Sequence, residues 1–294
     1  MNNQLKEFQN HLKNSKKVIA LVGAGLSASS GLPTFRGSQG LWRNYNMIDL
    51  ATPDSFYIDP SLVWQFYSWR RYLSLNSNPN NSHKSIIKIL DQFKKDANKQ
   101  FLIINQNVDG LFNKIRPNIP ELFDIHGNLF TLKCTNFSCN YIEKNNFKHP
   151  LTSALKDVEN ENSNVTTKSP NFKPIKSIDE SNLPNCPICK FLLRPGVVWF
   201  GESLPLDLIT KIDNFIEDKF LMPDLILVIG TSGTVYPANS YVERVKLKGG
   251  KVAIFNTEID DNILNGEIKN TWGFKGDAAE LLPLALGDFE SGFG

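Results

Sequence analysis

A short, wholly apolar run that passes directly into a glycine-rich turn sets the frame for this 294-residue chain. Val18-Ile19-Ala20-Leu21-Val22 has no polar position, as expected of a strand covered on both faces of a parallel sheet. It runs into Gly23–Gly37, GAGLSASSGLPTFRG. Glycines at a strand end let backbone N–H groups come close to a phosphate. Gly23, Gly25 and Ala28 fit the Gly-x-Gly-x-x-Gly/Ala dinucleotide fingerprint, a weak signal when it stands alone. The rest, Ser30-Gly31-Leu32-Pro33-Thr34-Phe35-Arg36-Gly37, exceeds what a plain dinucleotide fold requires. It reads as a second loop that closes over the ligand.

Three more apolar runs, Phe101–Asn105, Leu225–Gly230 and Val252–Asn256, have the same strand character. They lead into Gln106-Asn107-Val108-Asp109, Gly230-Thr231-Ser232 and Asn256-Thr257-Glu258. Ligands of open α/β sheets bind at the carboxyl ends of the strands, so four polar strand ends point to one crevice. The expected fold is α/β, a Rossmann-like doubly wound parallel sheet. Helices are expected at Ser61–Leu73, Ser82–Lys95, Ala238–Leu247 and Ala278–Leu286, the last weakened by Pro283. An amphipathic N-terminal helix would carry Leu5, Phe8 and Leu12 on one face. Asn140–Asn182, rich in Asn, Lys, Ser, Glu and Pro, reads as a mobile insertion.

A net charge of +2 gives no electrostatic case for nucleic acid, and no apolar run reaches the length of a membrane span. The N-terminus lacks the apolar core of a secretory signal, which points to a reducing intracellular compartment. Asn80, Asn136 and Asn164 then head sequons that stay unglycosylated.

The four cysteines, Cys134, Cys139, Cys186 and Cys189, form a Cys-x4-Cys and a Cys-x2-Cys pair. Two close thiolate pairs suit a closed tetrahedral zinc site that holds a small subdomain and leaves no open position for catalysis. Disulfides are the alternative, and a reducing compartment argues against them. His149 competes as a ligand only from within the insertion. His11 and His149 read as exposed, and His83 as a surface or capping residue. His126 lies in Leu122-Phe123-Asp124-Ile125-His126-Gly127, between the Gln106–Asp109 cluster and the first cysteine pair. A lone His-Gly is more often structural than catalytic, but the crevice makes this one a candidate general base.

In their order along the chain, the glycine stretch, Gln106-Asn107-Val108-Asp109, His126-Gly127, the paired cysteines, Val197-Val198-Trp199-Phe200-Gly201-Glu202, Gly230-Thr231-Ser232 and Asn256-Thr257-Glu258 resemble the motifs of sirtuins. Sirtuins are NAD-dependent protein lysine deacylases. The resemblance runs from about Val18 to Leu286. It implies one catalytic domain over residues 1–294, with a Rossmann-like lobe (about 1–37, 80–130 and 197–294), a helical module (38–79) and a zinc subdomain (131–196) carrying the insertion 140–182.

The resemblance implies that Gly23, Ala24, Gly25, Ser27 and Ala28 cradle the NAD pyrophosphate. Pro33, Thr34, Phe35, Arg36 and Trp42 would form the cofactor loop, and Gln106 would contact the nicotinamide ribose. Asn107 and Asp109 would hold the nicotinamide amide, which side chains of those types can match. Gly230, Thr231 and Ser232 would reach phosphate or ribose, and Asn256, Thr257, Glu258 and Ala278 the adenosine end. His126 would take a proton from a ribose hydroxyl once nicotinamide has left. The products would be free lysine, nicotinamide and O-acyl-ADP-ribose. Val198, Trp199 and Phe200 would pair as an edge strand with an extended acyl-lysine peptide.

Tyr67 and Arg70 lie three apart on the expected helix, where a hydroxyl and a guanidinium can grip a carboxylate together. With the small Ala51 they are similar to the pattern of class III sirtuins, which prefer succinyl, malonyl and glutaryl lysine to acetyl lysine. Helical spacing does not separate Arg70 from Arg71; the resemblance selects Arg70. The bland alternative is a solvated arginine pair with Tyr67 in the helix core. The rival functions are a nicotinamide-dependent dehydrogenase, a zinc-ribbon binding module and a mono-ADP-ribosyltransferase. A dehydrogenase would carry an acidic residue on a second strand; Asp49 has the distance, but Asn44–Ala51 does not read as a strand. Family resemblance implies a mitochondrial location, with a cytoplasmic or nuclear one as the alternative, since the lysine-bearing N-terminus with Glu7 is a poor match to a presequence.

Overall fold

The computed structural model of the chain describes residues 2–34, 40–160, 175–231 and 238–287. Its strands are β1 Lys17–Val22, β2 Leu41–Trp42, β3 Tyr45–Asn46, β4 Gln100–Asn105, β5 Leu122–Asp124, β6 Gly127–Cys134, β7 Ile142–Glu143, β8 Leu193–Val197, β9 Leu225–Ile229, β10 Lys251–Asn256 and β11 Thr271–Lys275. Six of them form one all-parallel sheet in the order β11-β10-β9-β1-β4-β5. From β1 the chain builds one side through β4 and the other through β9. The carboxyl end of β1 is therefore the switch point of a doubly wound sheet, where a ligand crevice forms.

Alternation explains why β1 tolerates no polar residue in its interior. Val18, Ala20 and Val22 face one layer, with Phe8, Leu12, Ile86, Leu90 and Leu282. Ile19 and Leu21 face the other, with Ile212, Ile216, Tyr241 and Val245. The four expected strands are found within a residue of their ends. The edge strands β5 and β11 escaped the sequence pattern because one has three residues and the other carries Gly273 at its centre.

The expected helices are present at Pro60–Asn76, Asn81–Phe93, Ala238–Leu247 and Ala278–Leu286. Asp59 caps the first by accepting from Leu62 N at 2.8 Å, and Asn80 caps the second through Ser82 N at 2.9 Å. The N-terminal helix Asn2–Asn14 buries Phe8 edge-on against Phe255, Trp272 and Phe274. Such a ring contributes about 1.5–3 kcal/mol by burial alone. This docking also half-buries His11, expected to be exposed, with Nε2 3.1 Å from Asp224 O and the ring against Trp272.

A second core joins the helical module to the four-cysteine lobe. Trp42, Phe56, Trp64, Phe66 and Trp69 pack with Leu129, Leu132, Leu193 and Trp199, the latter group from or beside the sheet β7-β6-β8. Here the mobile insertion is corrected. Leu151 and Leu155 are buried in this core, Gln65 Nε2 donates to Lys176 O at 3.0 Å, and Ser61 Oγ accepts from Ile178 N at 2.8 Å. Sparse apolar residues suffice because the helix Pro60–Asn76 supplies polar partners. Residues 161–174 of that segment lie outside the described residues. No helix among the described residues is long and apolar enough to cross a membrane.

Candidate active site

The glycine turn is welded to its neighbouring strand end. Gly23 N donates to Ile229 O at 2.9 Å and Gly25 N to Gly230 O at 2.8 Å. These two amides are thus engaged within the protein, and the glycines serve close approach. A Cβ on Gly25 would meet Gly230 Cα at 2.7 Å, and one on Gly230, whose φ is +58°, would meet Leu26 N at 2.4 Å. Ala28 is exposed, so packing on the sheet does not demand its small side chain. Asn256 Nδ2 donates to Thr231 O at 3.0 Å, and its Oδ1 accepts from Thr257 N at 2.9 Å. Thr257 and Glu258 are exposed beyond β10. Ala278 is buried at the start of its helix, whose cap Asp277 accepts from Ser29 Oγ.

Beneath the turn lies a buried polar cluster. Asp109 accepts from Ser27 Oγ at 2.7 Å and from Leu111 N at 2.9 Å. Asn107 Nδ2 donates to Gly23 O at 3.0 Å and to Ser27 Oγ at 3.3 Å, which orients its amide. Asn105 braces the loop by accepting from Asn107 N and donating to Asp124 Oδ1 at 2.8 Å. Burial raises the Asp109 carboxyl against the effect of its two donors. Burial likewise pushes Asp124 up to about 6.

His83 is a correction. It is fully buried, not a surface residue, with Nδ1 3.1 Å from Asn80 Oδ1 and Nε2 3.4 Å from Ser27 Oγ. Burial pushes its pKa down to about 3, so it stays neutral. His126 turns off the end of β5, and its Nδ1 lies 2.9 Å from Gln106 O. That carbonyl can only accept, so Nδ1 carries the hydrogen and Nε2 presents a lone pair. Burial lowers the pKa of this ring, which favours the neutral form. Gly127 beside it has a φ of +77° and presses so close to Gly196 O that a Cβ would sit 2.2 Å from it.

On the helix Pro60–Asn76 the two arginines part company. Arg71 is fully buried and spends its guanidinium on Leu129 O, on Asn146 O and Oδ1 at 2.7 and 3.0 Å, and on Lys148 O at 3.0 Å. Arg70 lies against the Tyr67 and Phe66 rings, about 5.6 Å from each centroid. Tyr67, 1% exposed, accepts from Trp199 Nε1 at 2.9 Å. The image of a solvated arginine pair is therefore incorrect. Burial raises the Tyr67 pKa, so it is a neutral phenol at physiological pH. Ala51, also buried, accepts from Phe200 N at 2.9 Å.

At two neighbouring places the structure differs from the expectation. The strand expected over Val197–Phe200 ends at Val197. Beyond it Val198 N donates to His126 O, Trp199 N to Glu202 Oε2 and Phe200 N to Ala51 O, so all three amides are engaged. Trp42, expected at the cofactor, is fully enclosed by Tyr45, Phe66 and Trp69 and presents no surface to a ligand in this conformation. Pro33 and Thr34 are half-buried, and Gln106 is half-buried beside His126. Phe35, Arg36 and Ser232 lie outside the described residues.

The four cysteine sulfurs all lie within 4.8 Å of one another, with no disulfide among them. Cys134 and Cys189 Sγ are 3.4 Å apart and Cys139 and Cys186 Sγ 3.8 Å. Tetrahedral zinc with bonds of ~2.3 Å places its sulfurs about 3.8 Å apart, so the donor set fits the ion. Asn136 N points at Cys134 Sγ from 3.4 Å, a donor that suits a thiolate. His149 packs against Tyr72 and is not in the cluster.

Sequence reasoning missed Asn105, Asp124, His83, Arg71 and Arg194 as parts of this architecture. Asp124 carried a signal, being two residues before His126 at a strand end. Arg71 and Arg194 carried none, because their partners are distant backbone carbonyls or, for Arg194, the Glu202 carboxylate.

The Sir2 family pattern matches residues 23–237. An NAD-dependent protein deacylase of Candida albicans is 64% identical over 303 residues, covering 97% of this chain and 98% of its own. The NAD-dependent protein deacylase sirtuin-5A, mitochondrial, of Xenopus laevis is 37% identical over 289 residues, covering 98% of this chain and 86% of its own. A Sir2 homologue solved in complex with NAD superposes with a TM-score of 0.71 at 31% identity, over 96% of this chain and 92% of that one. With relatives spanning nearly its whole length and a doubly wound sheet joined to a four-cysteine lobe, the chain belongs to the Sir2 family.

Proposed function

We propose that this chain consumes NAD to remove acyl groups from protein lysines, and that it prefers succinyl, malonyl and glutaryl groups to acetyl. The observation that carries the preference is the division between the arginines. Arg71 is occupied by backbone oxygens, while Arg70 lies against the ring of Tyr67. An Arg and a phenol side by side form a charge-assisted donor pair for a carboxylate at the tip of an acyl chain. Ala51, whose carbonyl accepts from Phe200 N, has a small side chain that suits a longer acyl chain.

In this reading NAD is a substrate held across the switch point. Gly23, Ala24, Gly25 and Ser27 support its pyrophosphate, and Gly230, Thr231 and Asn256 its adenosine half. Asn107 and Asp109 orient the nicotinamide amide. His126 Nε2 accepts a proton from a ribose hydroxyl. The Gln106 carbonyl keeps the tautomer correct throughout. An extended substrate peptide docks beside Val198–Phe200. Because those amides are engaged, its main-chain bonds run from peptide N–H groups to the carbonyls of the run. Cys134, Cys139, Cys186 and Cys189 hold one zinc, which supplies structure to the small lobe and no chemistry to the reaction. The Xenopus relative is named as mitochondrial, and we extend that location to this chain.

The test is incubation with NAD and matched acetyl, malonyl, succinyl and glutaryl peptides, with products weighed by mass spectrometry. Faster loss of the acidic acyl groups, with one O-acyl-ADP-ribose per lysine freed, is expected. Equal rates would reduce the reading to a deacetylase. Peptide gaining ADP-ribose would make the chain a mono-ADP-ribosyltransferase.

A further inference from the structure

Tyr67 is bonded on one side by a group that can only donate. The indole N–H of Trp199 has no acceptor capacity, so the 2.9 Å contact must run from Trp199 Nε1 to the phenol oxygen. Arg70, whose guanidinium lies 5.6 Å from the centre of the Tyr67 ring, is also a pure donor. With its oxygen accepting from Trp199, the phenol's own O–H is left to donate to an acceptor. A carboxylate is acceptor-only and completes the set.

Trp199 is itself clamped. The Arg194 guanidinium lies 3.5 Å over its ring and binds Glu202 through two nitrogens, the second contact at 2.8 Å. Glu202 Oε2 also accepts from Trp199 N at 2.8 Å. The indole is thereby held from its face and from its backbone, with its N–H aimed at the Tyr67 hydroxyl.

We propose that Trp199, held by the Arg194–Glu202 clamp, is a specificity-determining positioning residue that fixes the Tyr67 hydroxyl as a donor toward an acidic acyl group. This rests on the acidic-acyl reading above and adds a residue to it. A phenol without that bond is free to turn its O–H away from the substrate, and an acetyl group, having no carboxylate, does not sense the difference.

The experiment measures kcat/KM for succinyl and acetyl peptides in Trp199→Phe, Tyr67→Phe, the double variant and Arg70→Met. Trp199→Phe should lower the succinyl-to-acetyl ratio about tenfold, the scale of one oriented hydrogen bond, mainly through KM for the succinyl peptide. In the Tyr67→Phe background the same change should lower the ratio no further. An unchanged ratio in Trp199→Phe, or additive losses in the double variant, overturns the proposal while Arg70→Met still loses selectivity. If Arg70→Met and Tyr67→Phe also leave the ratio unchanged, the acidic-acyl reading itself fails. Should Trp199→Phe not fold, benzothienylalanine at that position keeps the bicyclic shape without the N–H and must give the same tenfold loss.

Discussion

Replacing Arg71 by Met should unfold this protein more easily, and replacing its neighbour Arg70 should not. Arg71 supplies the donors for the carbonyls of Leu129, Asn146 and Lys148. Met keeps the aliphatic stem but strands all three acceptors, at about 2 kcal/mol each. Part of that loss is returned, because the substitution also removes a buried cation. Burial lowers the Arg71 pKa from 12.5 to about 10, an expense of about 3 kcal/mol at ~1.4 kcal/mol per unit. The net destabilisation is about 3 kcal/mol, or roughly 6–9 °C in melting temperature for a chain of this size. Differential scanning fluorimetry at pH 7.5, with circular dichroism as a second probe, measures it. Arg70→Met, at a half-buried position beside the fully buried Arg71, should melt closer to the parent than Arg71→Met does. It should lose most desuccinylation and keep its weak deacetylation. An Arg71→Met protein as stable as the parent, or one that loses only desuccinylation, would refute the allotment of roles.

His126→Tyr should lower turnover of every acyl peptide by about a thousandfold while leaving the melting temperature near the parent's; retained turnover removes the histidine from the reaction. Since burial lowers the His126 pKa, the acid limb of kcat/KM should have its midpoint below the ordinary histidine value of about 6.5; a midpoint above it contradicts the dominance of burial over the Gln106 bond. Asp124 and His83 oppose each other in acid. Asp124, at about 6 when folded, binds a proton that the unfolded chain lacks, so its contribution to stability grows as pH falls from 6 toward 4. His83, at about 3 when folded, lacks a proton that the unfolded chain gains below about 6.5, so stability is lost over the same interval. Asp124→Asn should therefore lose about 1.5 kcal/mol more than the parent between pH 6 and 4.5 in urea titrations; parallel curves would dismiss the Asp124 shift. Metal analysis should find one zinc per chain, released by a mercurial thiol reagent, and Cys186→Ser should abolish it.

The sheet was legible because parallel strands buried on two faces must be apolar at every position. Val18–Val22 and Leu225–Ile229 announce themselves in that way. The cysteine site was legible from spacing alone. The two arginines were not. Positions three and four beyond Tyr67 both lie on its side of a helix, and what separates them is a set of carbonyls 58 to 77 residues away in sequence. His83 was misjudged because its neighbours are polar, and its burial comes from Phe112, Ser27 and Asn80 closing over it. Asn140–Asn182 departs from the expectation, over its described residues 140–160 and 175–182, for a related reason. Its polar main chain is held by side chains of another element, notably Gln65, Ser61 and Arg71, which no local composition records.

The three engaged amides of Val198, Trp199 and Phe200 tie together parts of the molecule that lie far apart in sequence. One anchors on the carbonyl of His126, one on the carboxylate of Glu202, and one on the carbonyl of Ala51. Candidate base and acyl pocket are thereby referred to one short length of chain, as two gauges are referred to one datum. A change that displaces this run therefore displaces the supports of His126 and Ala51 together.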